Sequence, residues 1–64
     1  MNKLAQLRKA AGLTQAQLAE ASGLSVRMIQ NYEQGFRDVN GIGIKRAKAI
    51  ADALGCTIED LIES

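Results

Sequence analysis

Residues 14–35 read TQAQLAEASGLSVRMIQNYEQG, a stretch that predicts two short helices joined by a tight turn. Thr14 and Gln17 have the spacing of a capping box, in which a hydroxyl and an amide satisfy free backbone N–H groups at a helix start. Ser25 is a good cap for the second helix. Gly23 lies between the two helices and can adopt the positive φ that a sharp turn requires. The stretch therefore predicts helix-turn-helix geometry.

The helix over about residues 26–34 has two unlike faces when its side chains are projected on a helical wheel. Ile29 and Tyr32 define the inner face, and Gly35 ends the helix. The opposite face carries Arg27, Gln30, Asn31 and Gln34, with Val26 and Met28 at its flanks. Any solvated helix shows a polar face, but such faces usually carry Glu and Lys, and this one has neither. Because Arg, Asn and Gln can pair with base edges, the residue types favour DNA recognition.

Two further helices are predicted at the ends of the chain. Asn2 can cap a first helix over about residues 3–11, and Gly12 ends it. Its inner face would carry Leu4, Leu7 and Ala11. Thr57 begins a second box-like motif, Thr57-Ile58-Glu59-Asp60, which predicts a last short helix to about Glu63.

The sequence allows two starting points for the fourth helix, which precedes the last one. Asn40 can cap a helix that runs to Leu54, but Gly41 and Gly43 weaken helix there, so the helix can also begin after them. The residues expected to face inward are Ile44, Ala47, Ile50, Ala51 and Leu54. The pattern as a whole predicts an all-α bundle.

Composition narrows the class of protein. The chain has 64 residues, 47% of them apolar, so we expect one domain over residues 1–64 without room for a large substrate cavity. It has no His and one Cys, Cys56, which excludes a Cys/His zinc site and an intrachain disulfide and fits a cytoplasmic protein. We expect Cys56 to pack as a small hydrophobe. No signal peptide, membrane span, metal, cofactor or catalytic group is expected.

Charge is distributed unevenly along the chain. Residues 1–51 carry all eight Lys and Arg against three acidic residues, whereas residues 52–64 carry four acidic residues and no basic one. A basic body with an acidic tail suits an anionic partner on one face. The other interpretation is a mixed, solvated surface.

One pattern extends over almost the whole chain. It consists of Leu7-Arg8, Gly12-Leu13-Thr14-Gln15, Leu18-Ala19, Gly23-Leu24-Ser25, Ile29, Tyr32-Glu33-Gln34-Gly35, Ala51-Asp52-Ala53-Leu54-Gly55-Cys56-Thr57 and Asp60-Leu61. This pattern closely resembles the phage Cro and C1-repressor-like helix-turn-helix family, which includes bacterial regulators of the xenobiotic-response-element class.

The resemblance implies a compact five-helix, lambda-repressor-like DNA-binding domain whose third helix lies in the major groove of double-stranded DNA. The residues that would read bases are Val26, Arg27, Met28 and Asn31 by this resemblance, and Gln30 by its place on the polar face of the same helix. The residues that would contact the DNA backbone are Gln15, Gln17, Ser25, Arg37, Lys45 and Arg46. Gln15 would also brace the start of the third helix. Arg8 and Glu33 match positions that the family often joins as an internal ion pair.

The chain departs from the common family pattern between Gly35 and Gly55. Family members often have a shorter segment there, frequently with a proline, and this chain has none. The longer segment leaves the placement of its basic side chains open. Phe36 is expected either to cover the edge of the core or to join a dimer contact.

We therefore expect a sequence-specific, repressor-like transcriptional regulator that binds as a homodimer to a palindromic operator with half-sites about 34 Å apart. Without a sensor domain, regulation would come from concentration, oligomerisation or a protein partner. One alternative is an antitoxin-like or adaptor module that binds protein, which would show an exposed apolar patch around Phe36 or Ile62. Another is RNA binding by the same basic face.

Overall fold

The chain folds into short helices separated by glycine turns in a computed structural model that describes residues 3–35 and 41–61. Within these residues there are five helices and no strand, which confirms the all-α class. The helices are α1 (Lys3–Ala10), α2 (Gln15–Ser22), α3 (Val26–Gln34), α4 (Ile44–Leu54) and α5 (Ile58–Leu61). No helix in the described ranges has the length and apolar character needed to cross a membrane.

The start of α2 is the predicted capping box. Thr14 Oγ1 accepts a hydrogen bond from the Gln17 backbone N–H at 3.1 Å, and Gln17 Oε1 accepts from the Thr14 N–H at 2.8 Å. Gly23 ends α2 with a φ of 75°, a conformation that costs glycine little. The Leu24 N–H then bonds to the Ala19 carbonyl at 3.0 Å and closes the turn into α3. The predicted turn between the two helices is thus confirmed.

Like α2, α3 begins at a hydroxyl cap and ends at a glycine with positive φ. Ser25 Oγ accepts from the Met28 N–H at 3.1 Å at the first turn, and Gly35 ends the helix with a φ of 82°. Both boundaries agree with the sequence prediction. Because each end is satisfied locally, the direction of α3 relative to α2 is set by the turn and by packing against the core.

The core lies beneath α2 and α3 and is completed by α4 and α5. Leu18, Ile29 and Ile50 have no exposed surface, and Tyr32 is only 4% exposed. The remaining core residues are Leu4, Ala19, Ile42, Ala47, Ala51 and Leu61. Cys56 packs partly buried against this cluster, and burial raises the pKa of its thiol, in keeping with the expected small hydrophobe.

The start of α4 differs from one of the two predictions. Gly43 precedes the helix with a φ of 93°, so α4 begins after the glycines, at Ile44. Ile44 was expected to face inward and is 76% exposed, whereas Ile42, in the preceding loop, is buried. The inward stripe of α4 therefore begins one turn later, at Ala47.

Smaller differences concern the helix ends. Ala11 was expected on the inner face of the first helix, but α1 ends at Ala10 and Ala11 is an exposed turn residue. Asn2, Asn40 and Glu63, which the sequence analysis placed at helix boundaries, lie outside the described residues.

Candidate nucleic-acid interface

The outer face of α3 carries the residues that the sequence analysis assigned to base reading. Arg27 and Gln30 are exposed, Asn31 is half-buried and Val26 is 38% exposed. Met28, at the flank, packs partly against the core. The division of the helix into an inner and an outer face is as predicted, because Ile29 and Tyr32 are buried. The outer side chains are thus held on a helix whose inner side is anchored.

Arg8 of α1 and Glu33 of α3 form a two-point ion pair. Arg8 Nε donates to Glu33 Oε2 at 2.5 Å, and Nη2 donates to Oε1 at 3.0 Å. Arg8 Nη1 also donates to the Leu13 carbonyl at 2.9 Å. The two side chains are only 11% and 6% exposed. The pair ties α1 and the loop before α2 to the last turn of α3, and so adds a charged link to the packing that holds that helix.

The environment keeps this pair ionised. Burial alone would raise the pKa of Glu33, but hydrogen bonds from Arg8 and Gln15 outweigh it and hold the carboxyl pKa below its usual range. The hydrogen bond to Glu33 likewise raises the pKa of Arg8. Both groups therefore carry their charges at neutral pH.

The lowered pKa of Glu33 predicts a loss of stability in acid. Its stabilising contribution is complete above the ordinary value of 4.5 and disappears as the pH falls through the lower pKa of the folded state. We expect the difference in melting temperature between the parent and Glu33→Gln to be largest near neutral pH. The difference should shrink as the pH falls below 4.5. Thermal unfolding at a series of pH values measures it. A difference that stays constant through the acid range would contradict the account.

Gln15, the first residue of α2, braces α3 in a place that the sequence analysis did not expect. Its Nε2 donates to Glu33 Oε1 at 3.1 Å, and its Oε1 accepts from Gln30 Nε2 at 3.4 Å. The brace was expected at the start of α3 and lies instead at its middle and last turns. The reason is that α2 begins beside the later part of α3, while Ser25 holds the first turn.

A groove of about 370 Å³ lies between α3 and the start of α4. Its lining residues are Ser25, Arg27, Met28, Asn31, Tyr32 and Arg46. The structure thus brings Arg46 of α4 together with Arg27 and Asn31 of α3, although these residues are far apart in sequence. None of the described residues that line the groove is acidic, so its two guanidinium groups favour an anion.

Of the other residues assigned to the DNA backbone, Ser25 also lines this groove. Lys45 is exposed on the first turn of α4, and Gln17 is exposed on α2 with its amide oxygen held in the capping box. Arg37 and Phe36 lie outside the described residues. The juxtaposition of Arg46 with α3 has no signal in the sequence, because it depends on how α4 packs.

Comparisons with known proteins agree with this geometry. A helix-turn-helix family model matches residues 4–61. A protein of Bacillus subtilis (strain 168), named SPbeta prophage-derived uncharacterized HTH-type transcriptional regulator YotL, is 46% identical over 44 residues. That match covers 69% of this chain and 52% of the relative, so the chain spans about half the length of the curated relative. No solved structure gives a significant match.

Proposed function

This chain belongs to the helix-turn-helix family, and we propose that it is a sequence-specific DNA-binding transcriptional regulator. The observation that carries the proposal is the outer face of α3, where Arg27, Gln30 and Asn31 stand on an anchored helix beside a basic groove. The name of the Bacillus relative, an HTH-type transcriptional regulator, supports the regulatory role.

In this proposal α3 enters the major groove of double-stranded DNA. Arg27 offers a planar pair of donors that fits the two acceptors of guanine, and Asn31 can pair with adenine. Val26 offers a methyl surface to thymine, and Met28 adds an apolar contact at the edge of the helix. The proposed base-reading side chains lie on one face of α3, so a single helix can bring all of them to the bases at once.

The DNA backbone would be held by residues that lie outside α3. Gln15 and Gln17 lie in the first turn of α2, and Lys45 and Arg46 lie in the first turn of α4. Ser25 lines the groove between α3 and α4. Contacts to phosphate from these positions would set the register of α3 without reading sequence. Arg37 joins this set as a proposal from the sequence alone.

The charges of α4 and α5 are arranged to suit such a partner. Lys45 and Arg46 lie in the first turn of α4, whereas Asp52 lies near its end and Glu59 and Asp60 lie in α5. An 11-residue helix is about 16 Å long, so Lys45 and Arg46 stand near the opposite end of it from Asp52. DNA near α3 would therefore approach the positive end and avoid the negative one.

We propose further that two copies bind a palindromic operator as a homodimer and act as a repressor. One copy offers a single reading helix, which covers only a few base pairs. Two copies related by a two-fold axis would read half-sites about 34 Å apart and would combine their specificity. We also propose that the protein acts in the cytoplasm, which a DNA partner and the single cysteine would suit.

One observation favours a second candidate function, a protein-binding module of the antitoxin or adaptor type. Ile44 is 76% exposed on the first turn of α4, which makes it the most exposed large apolar side chain among the described residues. Phe36 and Ile62, where the sequence analysis expected an apolar patch, lie outside the described residues. A protein contact at Ile44 is compatible with DNA binding by α3.

The proposed function predicts a steep salt dependence of DNA binding. Each phosphate that is neutralised releases condensed cations, so four to six contacts per dimer give a slope of log affinity against log salt of about −4 to −5. Fluorescence anisotropy on a labelled duplex at several salt concentrations measures the slope. A flat response, or no binding of duplex DNA at micromolar protein, would favour the protein-binding module instead.

A further inference from the structure

Four side chains form a continuous chain of hydrogen bonds from the inside of the protein to the outer face of α3. Arg8 donates to Glu33, Gln15 Nε2 donates to Glu33 Oε1 at 3.1 Å, and Gln30 Nε2 donates to Gln15 Oε1 at 3.4 Å. Glu33 is nearly buried, Gln15 is half-buried and Gln30 is exposed. The ion pair is thereby connected to a residue on the proposed DNA-binding surface.

The chemistry of the four groups permits only one direction for this chain. A guanidinium has donors only and an ionised carboxylate has acceptors only, so Gln15 must turn its NH₂ group toward Glu33. The amide oxygen of Gln15 is then the group that meets Gln30, and an oxygen of this kind only accepts. Gln30 must therefore turn its own NH₂ group toward Gln15. The near-symmetric shape of an amide does not by itself show which end is nitrogen. Here the charge of the Glu33 carboxylate decides the orientation of both amides.

This direction has a consequence for base recognition. With its nitrogen held by Gln15, Gln30 has its amide oxygen as the acceptor for a ligand, together with one remaining N–H. In the major groove, adenine and cytosine present an exocyclic amino donor, whereas guanine and thymine present carbonyl oxygens in the equivalent place. Adenine also offers its N7 to the remaining N–H.

We propose that Gln15 is a positioning residue for base recognition, and that it fixes Gln30 to select a base with an exocyclic amino group, adenine or cytosine. The inference rests on the proposed function, because it requires α3 to lie in the major groove. Arg27, one turn away on the same face, is a donor only, so the two neighbouring side chains would select opposite hydrogen-bonding patterns.

The test compares the parent with Gln30→Met and Gln15→Met on a selected operator and on every single-base substitution of it. Gln30→Met identifies the base pair that Gln30 reads, because preference is lost there. At that pair the parent should favour adenine or cytosine over guanine and thymine by about fivefold or more. Gln15→Met keeps Gln30 but frees its amide to rotate, so the preference at the same pair should fall below about twofold, while other pairs keep theirs.

Gln6→Met is the matched control, since it makes the same change at an exposed position of α1 that the proposed interface does not include. It should leave the preference at every base pair unchanged. Sequence-specific binding in which Gln15→Met weakens all duplexes equally, or in which the parent prefers guanine or thymine at the Gln30 position, would overturn this inference alone. Binding that no base substitution affects would overturn the proposed function as well.

Discussion

Replacing Glu33 with alanine is expected to lower the free energy of unfolding by about 3 kcal/mol, because it strands the Arg8 guanidinium in a site where that side chain is 11% exposed. The variant also leaves the amide of Gln15 without its carboxylate acceptor. For a domain of this size, each kcal/mol shifts the melting temperature by roughly 4 to 8 °C, so the decrease should reach about 12 °C or more. Thermal unfolding followed by circular dichroism measures it.

Glu20→Ala provides the matched control for this experiment. Glu20 is an exposed carboxylate on α2, and exposed substitutions usually change stability by less than about 0.5 kcal/mol. A second variant, Arg8→Met/Glu33→Met, removes both charges and should be more stable than Glu33→Met alone, since no unpaired charge is left buried. If Glu33→Ala melts within about two degrees of the parent, the ion pair does not support the fold as described.

Replacing Arg27 with alanine is expected to remove the preference for guanine at one base pair of each half-site. A guanidinium that bonds to both major-groove acceptors of guanine contributes about 1–3 kcal/mol of discrimination, so affinity for the preferred operator should fall by that amount per half-site. Arg27 is exposed, so the melting temperature of the free protein should change little. Binding to one operator and its single-base substitutions measures the effect.

Lys45→Ala is the comparison for Arg27→Ala. Lys45 is exposed on the first turn of α4 and is expected to contact phosphate only. Its loss should weaken binding to all sequences about equally and reduce the salt slope by about one unit per contact. The docking of α3 would be wrong if Arg27→Ala weakened all sequences equally while Lys45→Ala changed the base preference.

Local signals in the sequence were sufficient for most of the helix boundaries. The capping box of Thr14 and Gln17 and the turn at Gly23 depend only on residues close in sequence, so they could be read directly. The faces of α3 followed from periodicity, because Ile29 and Tyr32 occur at the spacing of one helical stripe. The ion pair of Arg8 and Glu33 joins residues that are distant in sequence, and it was predicted from the family resemblance because no local rule provides it.

The features that the sequence did not predict depend on packing between segments that are distant along the chain. Ile44 has the periodicity of the buried stripe of α4, yet only the packed neighbours decide where that stripe begins, and Ile42 takes the core position instead. The position of Gln15 beside the later turns of α3 depends on the angle between two helices. The approach of Arg46 to the outer face of α3 likewise follows from tertiary packing.

Selection by the parent protein from a library of random duplex DNA would show whether α3 recognises a particular sequence. We expect enrichment of a two-fold-symmetric sequence whose half-sites lie about 34 Å, one helical turn, apart. Guanine should occur within each half-site at the position that Arg27→Ala relaxes. A library that remains random after repeated rounds at micromolar protein would contradict sequence-specific recognition by α3.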